Sequence, residues 1–384
     1  MTPDVAGLQR QARKLLTRPV YDYYAGGSGR ERTLRANEKA WRQVWLAPRV
    51  LRDVSAVDTA TRLLGTEVAT PLCVAPSGYH GLAHPDGELG TAAGAARAGA
   101  LFVLSTRSTR RIEDVGAAVA AEGGTWWFQV YLMRDRELTA GLVRRAAAAG
   151  AAALVLTADT PVVGRKRRDS RDSSRGVVGD EDFLVNLGQL DDLSAANQAA
   201  DPSPADIGWI GQVGGGLPVV VKGVLRGDDA VACREAGAAA VIVSNHGGRQ
   251  LDGALPTAAA LPGVAEALAT TPATTPATTP AVAPATTPAV APGAELYADG
   301  GIRTGEDALA ALALGAGAVF LGRPVLWALA CGGADGVRAL LAGLTEDLAH
   351  AMTLAGLATV ADATAIAPVI APVIAPAIGP AGRW

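Results

Sequence analysis

The most constraining feature of this 384-residue sequence is a repeated alternation of short apolar runs and alanine-rich segments of helical period. Eight apolar runs have the length and composition of buried strands: Leu72–Ala75, Leu101–Leu104, Trp126–Val130, Ala153–Leu156, Pro218–Val221, Ala240–Val243, Glu295–Ala298 and Ala318–Leu321. The helical segments between them are Glu88–Ala98, Ile112–Ala121, Arg136–Ala149, Asp228–Ala236, Thr257–Leu268 and Asp307–Leu314. Eight strands alternating with helices predict an α/β fold of the (β/α)8 barrel type. An open doubly wound sheet, the alternative, usually has fewer strands and a glycine motif after the first.

Segments outside this alternation divide the chain further. We expect residues 1–70 to form a helical N-terminal extension, residues 71–360 the barrel, and residues 361–384 a proline-rich tail. Within the barrel, the long polar segment 165–204 after strand four predicts a mobile lid or a solvated loop with internal ion pairs. Residues 270–292 are a low-complexity insertion of Thr, Pro and Ala. Proline at this density excludes helix, so we expect the insertion and the tail to be poorly ordered.

Composition and charge exclude several classes of function. A formal net charge of -3 argues against nucleic acid as the main partner. The first residues lack the basic start and apolar run of a secretory signal, and the longest apolar region, residues 308–321, is too short to span a bilayer. Three single cysteines, Cys73, Cys233 and Cys331, are typical of buried thiols in a reducing compartment. We therefore expect a cytoplasmic protein without a membrane or nucleic-acid partner.

Polar or glycine residues follow every predicted strand. In a barrel these positions share one rim, where catalytic side chains lie. The candidates, in chain order, are Ala75, Pro76, Ser77, Ser105, Arg107, Gln129, Tyr131, Thr157, Asp159, Lys222, Ser244, His246, Arg249, Asp299, Gly301, Arg303, Gly322 and Arg323. The last two strands end in glycines and arginines, whose amides and guanidiniums suit a phosphate. The sequence therefore predicts a phosphorylated cofactor or substrate at that part of the rim.

The most specific string is Ser244-Asn-His-Gly-Gly-Arg-Gln250, directly after the sixth predicted strand. A core strand with a polar exit loop is the ordinary interpretation of such a stretch. Here, however, His246 can take a proton near neutral pH, and Arg249 can bind a carboxylate through two hydrogen bonds. At these residues the sequence closely resembles the FMN-dependent α-hydroxy acid oxidases and dehydrogenases, the family of glycolate oxidase, lactate oxidase and mandelate dehydrogenase. The resemblance extends from about Tyr21 to about Gly356.

The resemblance implies FMN as the cofactor. It assigns the phosphate to Arg303, Arg323 and the amides of Gly301 and Gly322, and the ribityl chain to Asp299. It assigns Lys222 to the N1 and C2 carbonyl side of the flavin. The remaining cofactor contacts that it implies are Ser105, Gln129, Thr157, Ser244 and the backbone of Ala75, Pro76 and Ser77.

The resemblance also implies the reaction, oxidation of an (S)-2-hydroxy acid to a 2-oxo acid with oxygen or another acceptor taking the electrons. His246 is then the base, Asp159 pairs with its imidazolium, and Tyr131 hydrogen-bonds the substrate hydroxyl. Arg249 and Tyr23 hold the substrate carboxylate. By the same resemblance the protein is a homo-oligomer, a tetramer.

Two positions depart from the family pattern. Arg107 stands where glycolate oxidase has a substrate-contacting Trp, so the pocket favours a second anionic or polar group unless the side chain turns to an acidic partner. Lys166 stands where the family commonly has Arg, which leaves the second carboxylate contact open, with Arg165 as a possible substitute. The strings Ala25–Gly29 and Pro324–Ala330 are similar to mandelate-oxidising relatives and favour an aromatic substrate.

Other functions remain open at this point. A flavin-dependent isomerase of the isopentenyl diphosphate type would not need His246 with Arg249. An oxygen-dependent decarboxylating monooxygenase uses the same barrel, and a non-catalytic flavoprotein results if Arg107 blocks the pocket. A metal site at His80 and His84 is disfavoured, because Gly81 and Pro85 oppose a helix there and the sequence offers no third ligand.

The low-complexity insertion is predicted to lie far from this chemistry. It precedes a strand and therefore belongs to the rim opposite the strand exits. We expect a variant that lacks residues 270–292 to keep the turnover rate of the full chain, measured with the same substrate. A large loss of turnover would place the insertion at the active rim instead.

Overall fold

The computed structural model describes residues 4–168, 185–188, 190, 192–271, 293–366 and 368–370. Its strands are β1 Val44–Leu46, β2 Thr61–Leu63, β3 Thr66–Val68, β4 Leu72–Val74, β5 Phe102–Leu104, β6 Trp126–Val130, β7 Leu154–Thr157, β8 Val219–Val224, β9 Ala240–Val243, β10 Glu295–Asp299, β11 Ala318–Leu321 and β12 Pro368–Ile370. Its α-helices are α1 Val5–Leu15, α2 Arg18–Ala25, α3 Arg32–Trp41, α4 Gly87–Arg97, α5 Ile112–Ala121, α6 Arg136–Ala148, α7 Ala205–Val213, α8 Gly227–Glu235, α9 Thr257–Thr270, α10 Gly305–Ala313 and α11 Arg323–Ala355. Strands β4 to β11 are parallel and close into a barrel in which β11 pairs with β4. The predicted (β/α)8 barrel is confirmed, and each predicted apolar run forms one of its strands.

The barrel interior is packed with side chains and is not a channel. Every barrel strand contributes to one internal apolar cluster, separate from the cluster between strands and helices. At its centre the rings of Trp127, Tyr297 and Phe320 lie 5.8–6.0 Å apart. The β2–β3 hairpin contributes Leu63 to this cluster at the rim where the strands begin, and the Leu64 N–H donates to Glu295 there at 3.0 Å. The opposite rim, where the strands end, is therefore the one available for a site.

The N-terminal extension packs on the strand exits. The Trp41 indole of α3 donates to the Gly300 carbonyl at 2.8 Å. Asn37, also on α3, exchanges two amide hydrogen bonds with Asn245, at 2.8 and 2.7 Å. Backbone N–H groups of Arg30 and Arg32 donate to Asp252, beyond the sixth exit. Helix α3 and the loop before it thereby form part of this rim.

Three features differ from the sequence-based expectation. Helix α7, Ala205–Val213, was not predicted, because its apolar residues follow the polar segment directly. Strand β8 continues past Val221 through Lys222 to a bulge, so Lys222 lies within the strand and not after it. The expectation of poor order is wrong for Pro368–Ile370, which pairs antiparallel with β1. The edge of β1 offers unpaired backbone groups, and β-branched Val369 and Ile370 favour extended chain. Residues 272–292 and 371–380 lie outside the described part of the chain, as do Asp169 and Asp172 of the expected internal ion pairs.

One described helix, α11, is long and apolar enough to cross a membrane by length and composition. It is instead a core helix, because more than half of its apolar window is buried and its backbone breaks at Gly332 and Gly333. Of the three cysteines, Cys73 is buried and Cys233 and Cys331 are half-buried, so the prediction of buried thiols is accurate for Cys73 only.

A buried carboxylate fixes the loop after the first strand exit. Glu88, at the start of α4, is fully buried and accepts hydrogen bonds from the backbone N–H groups of His80 and Thr109 and from the Thr109 hydroxyl. Burial lowers the pKa of His80, whose Nδ1 lies 2.8 Å from the Thr91 hydroxyl. Among the described residues no cluster of His, Cys, Asp and Glu could hold a metal ion. His80 is a buried histidine whose ring contacts Thr91.

Replacing Glu88 with alanine should destabilise the protein strongly. The change leaves two buried backbone donors without an acceptor, at a cost on the order of 3–5 kcal/mol in the free energy of unfolding. Urea unfolding of the purified protein measures this loss. Glu122→Ala is the matched control, because Glu122 pairs with Arg97 at the surface and should matter far less. Equal losses for the two variants would contradict the proposed role of Glu88.

Candidate active site

A cavity of about 430 Å³ opens at the rim where the barrel strands end, within the range of small-ligand pockets. Most of the residues predicted from sequence line it: Tyr23, Ala75, Pro76, Ser77, Ser105, Arg107, Tyr131, Lys166, Lys222, His246, Arg249, Asp299, Gly301, Arg303, Gly322 and Arg323. Four other predicted residues do not line the cavity: Gln129, Thr157, Asp159 and Ser244. Gln129, Asp159 and Ser244 each form a hydrogen bond with a residue that lines it. Thr157 forms a hydrogen bond with Gln129. The structure thus brings the predicted residues together at one site.

His246 and Asp159 share a hydrogen bond at the cavity wall, although they belong to different strand exits. The Nδ1 atom of His246 lies 2.9 Å from Oδ1 of Asp159, so the carboxylate selects the tautomer with the proton on Nδ1 and leaves Nε2 as an acceptor. Burial alone would raise the pKa of Asp159, but His246 and Lys222 outweigh burial and lower it. The carboxylate therefore stays ionised at neutral pH, and this pairing is lost only as the pH falls below the ordinary range of about 4.

Two residues at this pair, His246 and Gly223, have positive φ angles. His246 itself has φ +58°, in the left-handed region, and its N–H donates to the Ser244 hydroxyl at 3.0 Å. Gly223, at the bulge of β8, has φ +111°, and a Cβ there would lie 2.6 Å from the Cβ of Asp159. The glycine thus leaves room for the acid that orients the imidazole, and the strain at His246 is typical of a functional position.

Three side chains form the predicted carboxylate site. The Arg249 guanidinium carbon lies 5.1 Å from the centre of the Tyr23 ring, and the Lys166 ammonium lies 5.9 Å from it. Nη1 of Arg249 donates to the backbone carbonyls of Tyr23 and Gly26 at 2.7 and 3.1 Å. These bonds hold one edge of the guanidinium against the N-terminal extension. The rest of the planar group is thereby fixed in direction at the cavity.

A buried ion pair forms the floor of the cavity. Nζ of Lys222 lies 3.0 Å from Oδ2 of Asp299 and donates to the Ser244 hydroxyl at 3.0 Å. Burial by itself lowers the pKa of Lys222, but Asp299 and Asp159 outweigh burial and raise it, so the ammonium is charged. The second oxygen of Asp299, Oδ1, is buried without a hydrogen-bond partner in the described residues. It is an acceptor that a ligand hydroxyl can satisfy.

The end of the cavity at β10 and β11 is built for an anion. Burial and the nearby guanidiniums of Arg249 and Arg303 lower the pKa of Arg323 to about 9. Burial also lowers the pKa of Arg303, although its Nη2 donates to Glu38 at 2.9 Å. Gly301 has φ +95°, and a Cβ there would lie 2.7 Å from the Asn37 carbonyl carbon. Crowded guanidiniums beside glycine amides are stabilised when a phosphate binds between them.

Polar side chains under the opposite end form a continuous hydrogen-bond chain. The Ser105 hydroxyl donates to Oε1 of Gln129 at 3.1 Å, and Nε2 of Gln129 donates to the Thr157 hydroxyl at 3.0 Å. All three residues are buried. The chain fixes the direction of each polar group, so that the set can contact a heteroaromatic ring in one orientation.

Both departures from the family pattern line the cavity. Nη2 of Arg107 donates to the Ala196 carbonyl of the segment 192–204 at 3.2 Å. Lys166 lies beside Tyr23, whereas Arg165 is exposed and does not line the cavity. At the position where the family commonly has Arg, the side chain that reaches the cavity is therefore Lys166.

Sequence reasoning missed several residues of the site. Glu38 holds Arg303, and Gln250 donates to the carbonyls of Asp159 and Val162 and thereby fixes the chain that leads to Lys166. Asn197 and Gln198, from the segment predicted as a lid, line the cavity. No spacing pattern marks these residues, because each reaches the site from a loop or a helix far away in sequence. Among these residues, Gln250 could have been found from the sequence, because it ends the motif Ser244–Gln250 after the sixth barrel strand.

A barrel with a base, a carboxylate site and a phosphate site on one rim defines a cofactor-dependent barrel enzyme. The chain matches the sequence profile of the FMN-dependent dehydrogenases over residues 12–367. It is 40% identical over 370 residues to L-lactate oxidase of Nostoc sp., covering 92% of this chain and 94% of the relative. It is also 40% identical over 370 residues to 4-hydroxymandelate oxidase of Amycolatopsis orientalis, covering 93% and 95%. A crystal structure of mandelate oxidase aligns with TM-score 0.84 at 39% identity, over 96% of this chain and 99% of that one. The chain belongs to the FMN-dependent dehydrogenase family.

FMN is therefore the cofactor, and the cavity fits it. The unsatisfied Oδ1 of Asp299 suits a ribityl hydroxyl, and the crowded Arg303 and Arg323 with the close-packed Gly301 suit the phosphate. The oriented chain from Ser105 through Gln129 suits the polar edge of the flavin ring. A bound FMN would offer a hydrogen-bond or charge partner to each of these groups.

Proposed function

We propose that this enzyme oxidises an (S)-2-hydroxy acid to the 2-oxo acid, with His246 as the base, Arg249 and Tyr23 as the carboxylate site, and oxygen as the final electron acceptor. The observation that carries the proposal is the placement of the His246–Asp159 pair and Arg249 in one cavity with a phosphate site. Oxidation of 2-hydroxy acids agrees with the names of the relatives, which are lactate, hydroxymandelate and 2-hydroxyacid oxidases. An isomerase or a scaffold does not require this arrangement.

Bound FMN would accept the two electrons together with the hydrogen that leaves the substrate α-carbon. Nε2 of His246 takes the proton of the substrate hydroxyl, and Asp159 stabilises the imidazolium that forms. Burial, and next the Asp159 charge, raise the pKa of Tyr131, so its phenol remains protonated and donates a hydrogen bond to the substrate oxygen. Lys222 keeps a fixed positive charge at the floor of the cavity.

Arg249 binds the substrate carboxylate and thereby orients the substrate hydroxyl toward His246. Its Nη1 is occupied by backbone carbonyls, so the free edge of the guanidinium takes the carboxylate in a defined direction. The Tyr23 ring, which lies against the same guanidinium, limits rotation of the bound acid. Orientation of this kind is a large part of the rate enhancement of an enzyme.

Anaerobic mixing with a panel of 2-hydroxy acids tests the proposal. The panel includes glycolate, lactate, both mandelate enantiomers, a long-chain hydroxy acid and a dicarboxylic hydroxy acid. Loss of the oxidised-flavin absorbance with at least one (S)-acid, followed by hydrogen peroxide on admission of oxygen, is the expected result. No bleaching with any member would refute the proposal, and slow reoxidation by oxygen but fast reoxidation by a quinone would refute oxygen as the acceptor.

We further propose that the protein is a cytoplasmic homotetramer. Three free cysteines in the described structure support a reducing compartment. Exposed apolar side chains, among them Trp45, Val50 and Leu51, support burial of surface between subunits. Light scattering of the purified protein tests the oligomeric state, and a monomer at micromolar concentration would refute it.

A further inference from the structure

Glu38 reaches one of the arginines at the phosphate end of the active-site cavity from outside that cavity. A second cavity of about 340 Å³ is lined by residues of α3, β1 and α10, among them Glu38 and Arg42. Among the described residues, Gly301 and Arg303 line both cavities, whereas Glu38 lines the second cavity only. Oε1 of Glu38 accepts a hydrogen bond from Nη2 of Arg303 at 2.9 Å. Arg303 therefore lines the cavity that fits FMN and also pairs with a carboxylate outside it.

The charge of Glu38 acts on both arginines of the phosphate end. Burial lowers the pKa of Arg303, and the Glu38 charge is the strongest influence in the opposite direction. Burial and the charges of Arg249 and Arg303 lower the pKa of Arg323 to about 9, and Glu38 opposes this shift as well. The nitrogens of Arg323 itself donate to three backbone carbonyls, which carry no net charge. Glu38 therefore reduces the positive potential at this end of the cavity.

A count of charges shows why this matters for FMN. A phosphate monoester carries about two negative charges at pH 7, because its second pKa is about 6. The guanidiniums of Arg303 and Arg323 offer one positive charge each, which suits such a group, and the carboxylate of Glu38 offsets part of that charge. Arg42 lies 4.0 Å from Oε2 of Glu38, but its side chain is 74% exposed, so water and salt screen its contribution.

We propose that Glu38 weakens the binding of FMN by reducing the attraction of the site for the phosphate. The inference goes beyond the proposed function, because it concerns the affinity for the cofactor and not the acid that is oxidised. It rests on the assignment of the phosphate to Arg303 and Arg323. A like charge at this distance in a partly buried site changes the affinity for an anion by about tenfold.

A different role for Glu38 would be to hold Arg303 in the direction that the phosphate requires. The two roles predict opposite effects. A carboxylate that repels the phosphate weakens FMN binding, so its removal increases the affinity. A carboxylate that only orients Arg303 strengthens FMN binding, so its removal lowers the affinity or, where another oxygen replaces it, leaves the affinity unchanged.

Glu38→Gln separates these roles, because the amide oxygen can still accept from Nη2 of Arg303 whereas the negative charge is gone. We expect the Kd for FMN to fall about tenfold in this variant. Riboflavin has the same ring and ribityl chain without the phosphate, so its Kd should stay within about twofold of the wild-type value. Equilibrium dialysis of the full-length protein, stripped of FMN beforehand, gives both constants from the fluorescence of the unbound flavin.

Two further variants sharpen the test. Glu38→Lys places a positive charge at the same position and should tighten FMN binding beyond the level of Glu38→Gln, although a lysine cannot orient Arg303. Glu306→Gln is the matched control, because Glu306 is exposed and lines the same second cavity. Its Kd for FMN should change less than threefold. Asp307 does not serve as a control, since its carboxylate accepts from the N–H groups of Arg303 and Thr304 at the start of α10.

Three results would overturn the inference. An unchanged or higher Kd for FMN in Glu38→Gln would make Glu38 an orienting residue. Equal tightening of FMN and riboflavin would show that the effect does not act through the phosphate. Equal affinity of the wild-type protein for FMN and riboflavin would show that Arg303 and Arg323 do not bind the phosphate, and this measurement depends on no variant. Failure of the proposed function is a separate outcome, because none of these measurements uses a hydroxy acid.

Discussion

His246→Ala should lower the rate of flavin reduction by about 10²–10⁴-fold while the purified protein stays yellow. The loss follows because Nε2 is the acceptor atom that the Asp159 contact leaves unprotonated, whereas the residues of the phosphate end belong to other strand exits. Stopped-flow mixing with a reactive 2-hydroxy acid under anaerobic conditions measures the rate. The ratio of flavin to protein absorbance measures how much cofactor is retained.

Backbone strain calls for a second variant at this position. Because His246 has φ +58°, His246→Asn is the better test of chemistry alone, since asparagine tolerates the left-handed region more readily than alanine. His84→Ala is the control, as His84 pairs with Asp86 and does not line the cavity. Flavin reduction at the wild-type rate in His246→Asn would show that His246 is not the base. A colourless His246→Ala protein would instead assign His246 to cofactor retention.

Arg249→Met should reduce kcat/KM for the acid substrate by two to three orders of magnitude, or about 3–4 kcal/mol, because the substrate carboxylate loses its charged partner. The effect should be much smaller on the methyl ester of the same hydroxy acid, because the ester carries no charge for the guanidinium to bind. Steady-state kinetics with the acid and its ester measure the two values. Arg249→Lys should remain impaired, since an ammonium lacks the planar fork that reaches both the carbonyls and the substrate.

A matched control for this variant is Arg234→Met. Arg234 also donates to backbone carbonyls, those of Leu268 and Thr271, but it lies away from the cavity. Its substitution should leave the ratio of acid to ester unchanged. If Arg249→Met affected acid and ester equally, Arg249 would support the local structure and would not bind the carboxylate.

The strand exits of the barrel could be predicted from sequence for a physical reason. Parallel strands alternating with helices must all end at one rim, so polar residues after the apolar runs converge whatever their separation along the chain. His246 and Asp159 are 87 residues apart and meet at 2.9 Å on this principle. The string from Ser244 to Gln250 marked the sixth exit, and the resemblance it carries led to FMN.

The contacts that hold the site residues in place could not be predicted from sequence. Many of them are made to backbone carbonyls, which every residue has. Arg323 donates to the backbone carbonyls of Tyr24, Gly26 and Gly247, and every residue has such a carbonyl. The bulge at Gly223, which sets the direction of Lys222, depends on the pairing of β8 with β9 and not on composition. Glu88 was assigned to a helix correctly, but its burial against Thr109 depends on tertiary packing.

The carbonyls of Tyr24 and Gly26 each accept hydrogen bonds from both Arg249 and Arg323, which lie in the loop after the sixth barrel strand and just beyond the eighth. A turn near the start of the polypeptide therefore holds two guanidiniums that are synthesised 225 and 299 residues later. A fragment that begins at residue 71 would therefore lack the carbonyls that hold Arg249 and Arg323, even though it keeps every barrel strand.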